Sequence, residues 1–233
     1  MSQQLSLPLE SAAVEPASRL PARMALPVAT EGGAPFDDGT RFFEPWWPGA
    51  HALLRRSGSH VEIHTEHLSD PLVAFPQLRH ISRALAADGI VMEGTLMALD
   101  PQGRPDVRLL RRRLSGSSSA EDAAEGAFVA CDLPYLEGRS LARQPFSQRR
   151  QALASILGDS PSCVLGPGLT GEGVTMGHAV AALGLDAISA RRLDGRWRSG
   201  PVRDAWLRLA VSEMPQRPTR PFLVLLEKLP LDG

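Results

Sequence analysis

Apolar and polar positions change their spacing several times between residues 42 and 211, and each change marks a predicted element. Val61, Ile63 and Thr65 alternate with polar residues, which predicts a half-exposed strand. Continuous apolar runs at Ile90–Leu99 and Ala127–Leu133 predict buried strands. Shorter strands are predicted at 52–54, 162–165, 185–191 and 206–211.

Helical spacing predicts helices at 75–87, 145–157 and 178–183. In the second of these helices, Arg149 and Arg150 are predicted to face solvent. Residues 107–114 fit either a short helix or a strand, and the glycine-rich segment 166–177 is predicted to be a loop. Because strands and helices mix without a repeated βαβ order, the predicted fold class is α+β.

Composition divides the chain into three parts. Residues 10–40 are rich in Ala, Pro, Gly and acidic residues and keep no apolar period, so they are predicted to form a disordered tether, which together with the residues before it makes a disordered tail over 1–40. Order is expected to begin near Phe42. Residues 41–212 form the predicted folded domain, and residues 213–233 form a proline-rich tail.

Charge and cysteine content exclude several classes of protein. Hydrophobic residues make up 43% of the chain and the formal net charge is -1, so no global basic field indicates nucleic acid. Residues 41–220 hold 22 arginines against 19 acidic residues, which fits weak phosphate contact without requiring it. Cys131 and Cys163 lack the spacing of a disulfide framework or zinc site. No apolar run reaches the about 18 residues of a membrane span, and no secretory signal is present, so a cytoplasmic location is expected.

Five segments carry motif-like sequences: FFEPWWPGAHALL (42–54), FPQL (75–78), MEGTLMALDPQGRPD (92–106), ACDLPYLEGRSL (130–141) and GLDAISARRLDGRWRSGPVRDAWLRL (184–209). In content and order they resemble the adenylation domain of ATP-dependent DNA ligases, whose nucleotidyltransferase fold is shared with mRNA capping enzymes. The resemblance implies mostly antiparallel sheets and a chemistry that begins with a lysine attacking ATP. The 23 residues after Ala210 are too few for the family's OB-fold, so no OB-fold is expected.

The resemblance also implies active-site residues, and several of them are replaced. The family's nucleophilic lysine corresponds to Trp46, the acid two residues later to Pro48, and the arginine that closes the motif to His51. Glu93 keeps the first acid of the third motif, whereas Thr95 stands at the next acidic position.

Family residues are also replaced in the later motifs. Cys131 stands where the family has an aromatic residue that stacks on adenine. Asp186 and Arg191 correspond to the glutamate and lysine of the fourth motif. Arg208 and Ala210 correspond to the lysines of the last motif.

Arginine cannot supply the missing nucleophile, because a guanidinium stays protonated and offers no lone pair. The only lysine is Lys228, near the end of the sequence. We therefore expect no catalytic residue, no metal and no cofactor, with Trp46 filling the place of ATP. The residues of this vestigial nucleotide pocket are predicted to be Glu44, Trp46, Pro48, His51, Glu93, Asp186, Arg191 and Arg208.

Two further groups of polar residues stand out. The histidines at 60, 64 and 67 have a spacing that could suit a metal, but solvated strand histidines are the favoured interpretation. A basic hairpin, Leu193–Arg203, lies between the strands predicted at 185–191 and 206–211, and a solvated face is the alternative to phosphate contact there. The candidate contacts to the DNA backbone are Arg192, Arg196, Arg198 and Arg203.

The N-terminal hexapeptide, Gln4-Leu-Ser-Leu-Pro-Leu9, resembles the clamp-binding peptide of bacterial replication and repair proteins. The resemblance implies that Leu7 and Leu9, next to Leu5, enter apolar pockets of the ring-shaped sliding clamp while Gln4 fixes the register. An ordinary apolar start of a tail is the alternative.

These observations predict a catalytically degenerate ligase-like protein. It would act as a sliding-clamp-associated accessory or DNA-binding scaffold in DNA repair or replication, with a repair enzyme as a further partner. Two alternatives stay open. One is a divergent ligase or nucleotidyltransferase, or a subunit of one, that still binds ATP with Mg²⁺. The other is a protein-interaction module without DNA contact.

The hexapeptide predicts retention of the chain on an immobilised bacterial sliding clamp. Gln4→Ala removes the polar contact and Leu7→Ala removes an apolar anchor, so each is expected to weaken retention in a pull-down. Equal retention of the wild type and both variants would contradict the clamp interpretation.

Overall fold

The computed structural model describes residue 21 and residues 24–65, 70–116 and 124–213. The strands within these ranges are β1 (Pro27–Val28), β2 (Thr30–Glu31), β3 (Asp38–Pro45), β4 (Ala50–Ser57), β5 (His60–Thr65), β6 (Ile90–Leu99), β7 (Glu125–Leu136), β8 (Arg139–Ser140), β9 (Cys163–Leu165), β10 (Leu169–Gly171), β11 (Ala187–Arg192), β12 (Gly200–Pro201) and β13 (Trp206–Ala210). The α-helices are α1 (Pro71–Ala74), α2 (Val107–Leu114), α3 (Phe146–Ile156) and α4 (Gly173–Ala182). Short 3-10 helices span Pro76–Ala84, Arg203–Ala205 and Val211–Glu213.

Two larger sheets organise these elements. One has six strands in the order β5-β4-β6-β7-β8, with β9 beside β7, and the other has five strands in the order β10-β3-β11-β13-β2. The long ladders are antiparallel, and the short pairs β1 with β12, β2 with β13 and β7 with β9 are parallel. This topology confirms the predicted α+β class with mostly antiparallel sheets.

Each sheet has its own apolar core. The six-stranded sheet packs against the helices that flank it through residues that include Phe75, Leu96 and Phe128. The five-stranded sheet packs against α4 around Phe43 and Met176. Both β6 and β7 are buried along most of their length, which explains the continuous apolar runs that predicted them.

Order begins earlier than the sequence predicts. β1 and β2 lie inside the predicted tether, where β1 pairs with β12 and β2 with β13. Leu26 is buried beside Leu53 and Val91. Two-residue strands carry no period, so pairing with distant strands fixes this segment. The expectation that order starts near Phe42 is therefore wrong for residues 24–41.

The glycine-rich segment 166–177 is also not a loop throughout, because it contains β10 and the first half of α4. A Cβ atom at Gly173 would clash with the carbonyl oxygen of Phe36 and would lie 2.6 Å from a ring carbon of Phe43. Glycine there permits the helix to pack closely on β3, so it marks a contact and not a turn.

The remaining elements refine the predictions. The helix predicted at 75–87 is a 3-10 helix, and the ambiguous segment at 107–114 is α2. The Asp106 carboxylate accepts hydrogen bonds from the backbone N–H groups of Arg108 and Leu109 and so caps α2. None of the described helices has the length and apolar character needed to cross a membrane. The hexapeptide Gln4–Leu9 and the predicted tail from residue 214 onward lie outside the described residues.

Candidate functional site

Buried charges from both sheets meet around the guanidinium of Arg191 on β11. Its Nη2 lies 2.5 Å from Oε1 of Glu93 on β6, and its Nη1 lies 3.8 Å from Oδ2 of Asp132 on β7. Its Nε lies 3.4 Å from Oε1 of Glu44, near the end of β3. Arg191 therefore links the two sheets through Glu93 and Asp132, and it also approaches Glu44 of its own sheet. We call these three carboxylates, with Arg149, Arg150 and Arg191, the charge network.

Arg149 and Arg150 on α3 complete the charge network, so the prediction that both face solvent is wrong. Arg149 is buried and donates bidentately to Asp132 at 2.8 and 2.7 Å. Arg150 lies 3.5 Å from Glu44 and donates to the backbone carbonyls of Cys131 and Gly166.

The helical period could have placed Arg149 correctly. It stands three residues after Phe146 and four before Leu153, on the stripe of α3 that is buried. The sequence-based prediction gave more weight to the positive charge of Arg149 than to its helical spacing. A buried arginine requires an acidic partner, and Asp132 supplies it from a distant strand.

The carboxylate of Glu93 is fully enclosed and has further donors besides Arg191. The Nε2 of His51 lies 3.1 Å from its Oε1, and the indole Nε1 of Trp197 donates to its Oε2 at 2.5 Å. The thiol of Cys131 donates to the backbone carbonyl of Glu93 at 3.3 Å. Both carboxylate oxygens are thus occupied by protein donors.

Burial and charge act in opposite directions on these groups. Burial alone would raise the pKa of Glu93, but Arg191 and His51 hold that pKa well below its usual range. Burial raises the pKa of Glu44 against the opposing charges of Arg150 and Arg191. The pKa of Arg191 is raised, because Glu93 and the other nearby acidic groups outweigh the effect of its burial.

Trp46, directly after β3, stacks on Trp206. Its ring lies 5.5 Å from that of Trp206, centroid to centroid, at an interplanar angle of 29°. Arg191 lies 3.9 Å from the ring centroid of Trp206, and Arg208 lies 5.6 Å from that of Trp46. The charge network therefore contacts Trp206 through Arg191, and Trp206 in turn stacks on Trp46.

A cavity of about 130 Å³ remains between this stack and the network. This is smaller than the roughly 300 Å³ at which small-molecule sites begin. A separate groove of about 460 Å³ lies on the other side of Trp46 and His51. The inner cavity is lined by Glu44, Pro45, Trp46, Trp47, Gly49, His51, Thr95, Val129, Cys131, Ser189, Arg191 and Trp206.

Comparison with known proteins supports the sequence match. No protein-family model matches the chain. The SPbeta prophage-derived DNA ligase-like protein LigB of Bacillus subtilis is 23% identical over 175 residues, which cover 75% of this chain and 63% of that protein. The multifunctional non-homologous end joining protein LigD of Mycolicibacterium smegmatis is 26% identical over 182 residues, which cover 78% of this chain and 23% of that protein. The chain therefore spans less than two thirds of the length of these relatives.

Solved structures agree. A mycobacterial DNA ligase D complexed with ATP and MES superposes with a TM-score of 0.67 at 25% identity, over 80% of this chain and 60% of that one. The ligase domain of Mycobacterium tuberculosis LigD gives a TM-score of 0.65 at 25% identity, over 79% of this chain and 58% of that one. The chain has the nucleotidyltransferase fold of DNA ligases.

Most of the predicted pocket residues meet in this ligase-like fold. Glu44, Trp46, His51 and Arg191 line the inner cavity, and Glu93 lies beneath it in contact with His51 and Arg191.

The other three predicted pocket residues lie outside the inner cavity. Pro48 is half-buried in the connection between β3 and β4. Asp186 is mostly exposed and pairs at 3.2 Å with Arg208, which also pairs with Glu31 at 3.3 Å.

The charge network does not offer a metal site. Its three carboxylates, Glu44, Glu93 and Asp132, each have an arginine partner, so their oxygens are already engaged. Within the described ranges, no group of three His, Cys, Asp or Glu side chains is arranged to hold a metal ion. His67 lies outside those ranges.

Cys131 does not replace the missing amine. Burial raises the pKa of its thiol well above the usual range, so the thiol stays protonated. A thiol in that state is neither a nucleophile nor a metal ligand.

The arginines predicted to contact DNA differ in their ion pairing and exposure. Arg192 is paired with Asp194 at 2.9 Å, which neutralises it. Arg203 is exposed in a left-handed backbone conformation, φ 46°. Arg196 and Arg198 are exposed, and neither has an ion-pair partner among the described residues.

The fold adds a third exposed arginine to this surface. The backbone N–H of Trp197 donates to the carbonyl of Ala142 at 2.9 Å. This bond joins the backbone next to Arg143, which no sequence motif indicated, to the segment that carries Arg196 and Arg198, and all three arginines are exposed. We call these three residues the arginine patch.

Proposed function

We propose that this chain has a DNA ligase-related role in which it engages DNA without forming a lysine adenylate. The observation that carries the proposal is the indole of Trp46, which stands where the sequence match assigns the nucleophilic lysine. An indole cannot form a phosphoramidate, and no neighbouring side chain among the described residues supplies an amine. The DNA ligases among its relatives support the ligase-related part of the role.

The charge network supports the same conclusion. Phosphoryl transfer depends on cations that neutralise the transferring phosphate. Arg191, the counterpart of a motif lysine, is already neutralised by Glu93 and its neighbours. A phosphate entering this site would have to compete with buried carboxylates for every guanidinium.

A second candidate is a divergent ligase, or a subunit of one, that binds ATP without a covalent step. The relatives favour it over a role unrelated to ligation, because they are themselves ligases or ligase-like proteins. Trp46 and His51 separate the inner cavity from the larger groove of about 460 Å³. Rotation of the Trp46 indole would join the two spaces into one of nucleotide size.

The accessory role at a sliding clamp rests on Gln4–Leu9 alone. These residues lie outside the described ranges, so clamp association stays a prediction from sequence. It would place the arginine patch near DNA by tethering, without any added contact in the folded domain.

The absence of an amine at the site predicts that incubation with labelled ATP and Mg²⁺ leaves no label on the denatured wild-type chain. Lys228→Arg is the matched control, because it removes the only lysine of the sequence. Trp46→Lys tests the second candidate, since a restored amine becomes labelled only if nucleotide still enters the pocket. A labelled wild-type band would contradict the proposal.

The arginine patch predicts salt-dependent DNA binding. Each of the substitutions Arg143→Ala, Arg196→Ala and Arg198→Ala removes one guanidinium that can pair with a phosphate, and should reduce the slope of log K against log salt by about 0.9 on duplex DNA. Arg104→Ala is the control, because Arg104 is exposed in the turn after β6 and paired with Asp100. Unchanged affinity and slope in all three patch variants would instead favour a protein-interaction module without DNA contact.

A further inference from the structure

Two exposed arginines, Arg196 and Arg198, lie on the segment 193–199, which joins β11 to β12 and contains neither helix nor strand. Without a ladder of backbone hydrogen bonds, such a segment is ordered only if other contacts hold it. Exposure alternates along its middle, because Trp197 between the two arginines is half-buried. Successive side chains of an extended chain point to opposite sides, so an inward Trp197 turns both arginines outward.

The indole of Trp197 is bound to the charge network. Its Nε1 donates to Oε2 of Glu93 at 2.5 Å, while Oε1 of that fully buried carboxylate receives Arg191. Arg191 and His51 hold the pKa of Glu93 well below its usual range, so the carboxylate is ionised at neutral pH. A hydrogen bond to an ionised acceptor is roughly twice as strong as one between neutral groups.

Apolar packing and a backbone hydrogen bond fix Trp197 further. Its ring packs against the buried cluster of Leu26, Leu53 and Val91. Its backbone N–H donates to the carbonyl of Ala142 at 2.9 Å. The middle of the segment is therefore held by side chain and backbone together.

The ends of the segment are held as well. Nη1 of Arg149 donates to the backbone carbonyl of Gly195 at 3.0 Å. At the other end, the N–H of Gly200 donates to the carbonyl of Leu26 at 2.9 Å, where β12 pairs with β1. Because Arg149 belongs to the charge network, that network holds the segment at two points, here and at Trp197.

We propose that Trp197 is a positioning residue for DNA, which links the buried carboxylate of Glu93 to the surface and presents Arg196 and Arg198 to the phosphate backbone in one fixed arrangement. This inference rests on the proposed engagement of DNA and deepens it. Association costs free energy for every loop and side chain that it must order. A segment that is held beforehand avoids the loop part of that cost, so affinity depends on a residue that carries no charge.

Trp197→Phe tests the proposal, because it keeps an aromatic ring and removes the N–H that reaches Glu93. In a salt titration with duplex DNA, we expect about tenfold weaker binding than in the wild type, since the loop must be ordered on association. The slope of log K against log salt should stay unchanged, because Arg196 and Arg198 still reach phosphates. Tyr135→Phe changes an aromatic residue of the same apolar cluster and is the matched control, with unchanged affinity and slope.

Amide hydrogen exchange of the free protein separates release of the segment from general destabilisation. In Trp197→Phe, the amide of residue 197, which bonds to the carbonyl of Ala142, should exchange faster than in the wild type. The amide of Phe128, which bonds to the carbonyl of Ser162 beside β7, is the reference. We expect the substitution to accelerate exchange at residue 197 by a larger factor than at Phe128.

Each contrary result has a distinct meaning. Wild-type DNA binding that Trp197→Phe leaves unchanged would overturn the positioning role and leave the proposed engagement of DNA standing. A wild type without salt-dependent binding would overturn both. A reduced salt slope in Trp197→Phe would overturn the positioning role, because a phosphate contact would then have been lost. Equal acceleration of exchange at residue 197 and Phe128 would also overturn it, by assigning the effect to general destabilisation.

Discussion

The ion pair between Glu93 and Arg191 is the contact on which the rest of the site depends. Charged groups taken out of water cost several kcal/mol each unless they are paired and fully hydrogen-bonded. Glu93 meets that condition through Arg191, His51 and Trp197. Because the partners come from both sheets and from the connections between strands, the same pairing that satisfies the charges also sets the position of one sheet against the other.

This arrangement shows how the ligase-like fold balances its buried charges within the chain. In a nucleotide site, phosphates and metal ions would balance the buried charges. Here Arg149, Arg150 and Arg191 balance Glu44, Glu93 and Asp132 within the chain. The buried charges are therefore paired by protein groups. Function follows from such residues and not from the fold, which hosts many activities.

The packing of Trp46 also shapes the site. It stacks on Trp206, and both rings line the inner cavity of about 130 Å³ as well as the larger groove of about 460 Å³. An aromatic side chain contributes large buried area at a low cost in conformational entropy. Trp46 therefore contributes packing between the inner cavity and the groove.

The sequence predicted the fold well where local pattern and motif agreed. The strand at Ile90–Leu99 and the mixed α+β class follow directly from apolar spacing, and the order of the motifs identified the ligase-like fold. Predictions failed where distant partners decide the outcome. Arg149 is buried because Asp132 lies opposite, and β1 and β2 form because β12 and β13 accept them. Local spacing contains no information about such partners.

The pH dependence of stability tests the role of the central ion pair most directly. The folded-state pKa of Glu93 lies below its ordinary value of 4.5, so its stabilisation is complete above that pH and is lost as the pH falls towards the folded-state pKa. The free energy of unfolding of the wild type should exceed that of Glu93→Gln by roughly 3 kcal/mol near neutral pH. The difference should shrink steadily below pH 4.5. Glu62→Gln, on the exposed face of β5, is the control. A difference that is absent, or that does not change with pH, would contradict the account.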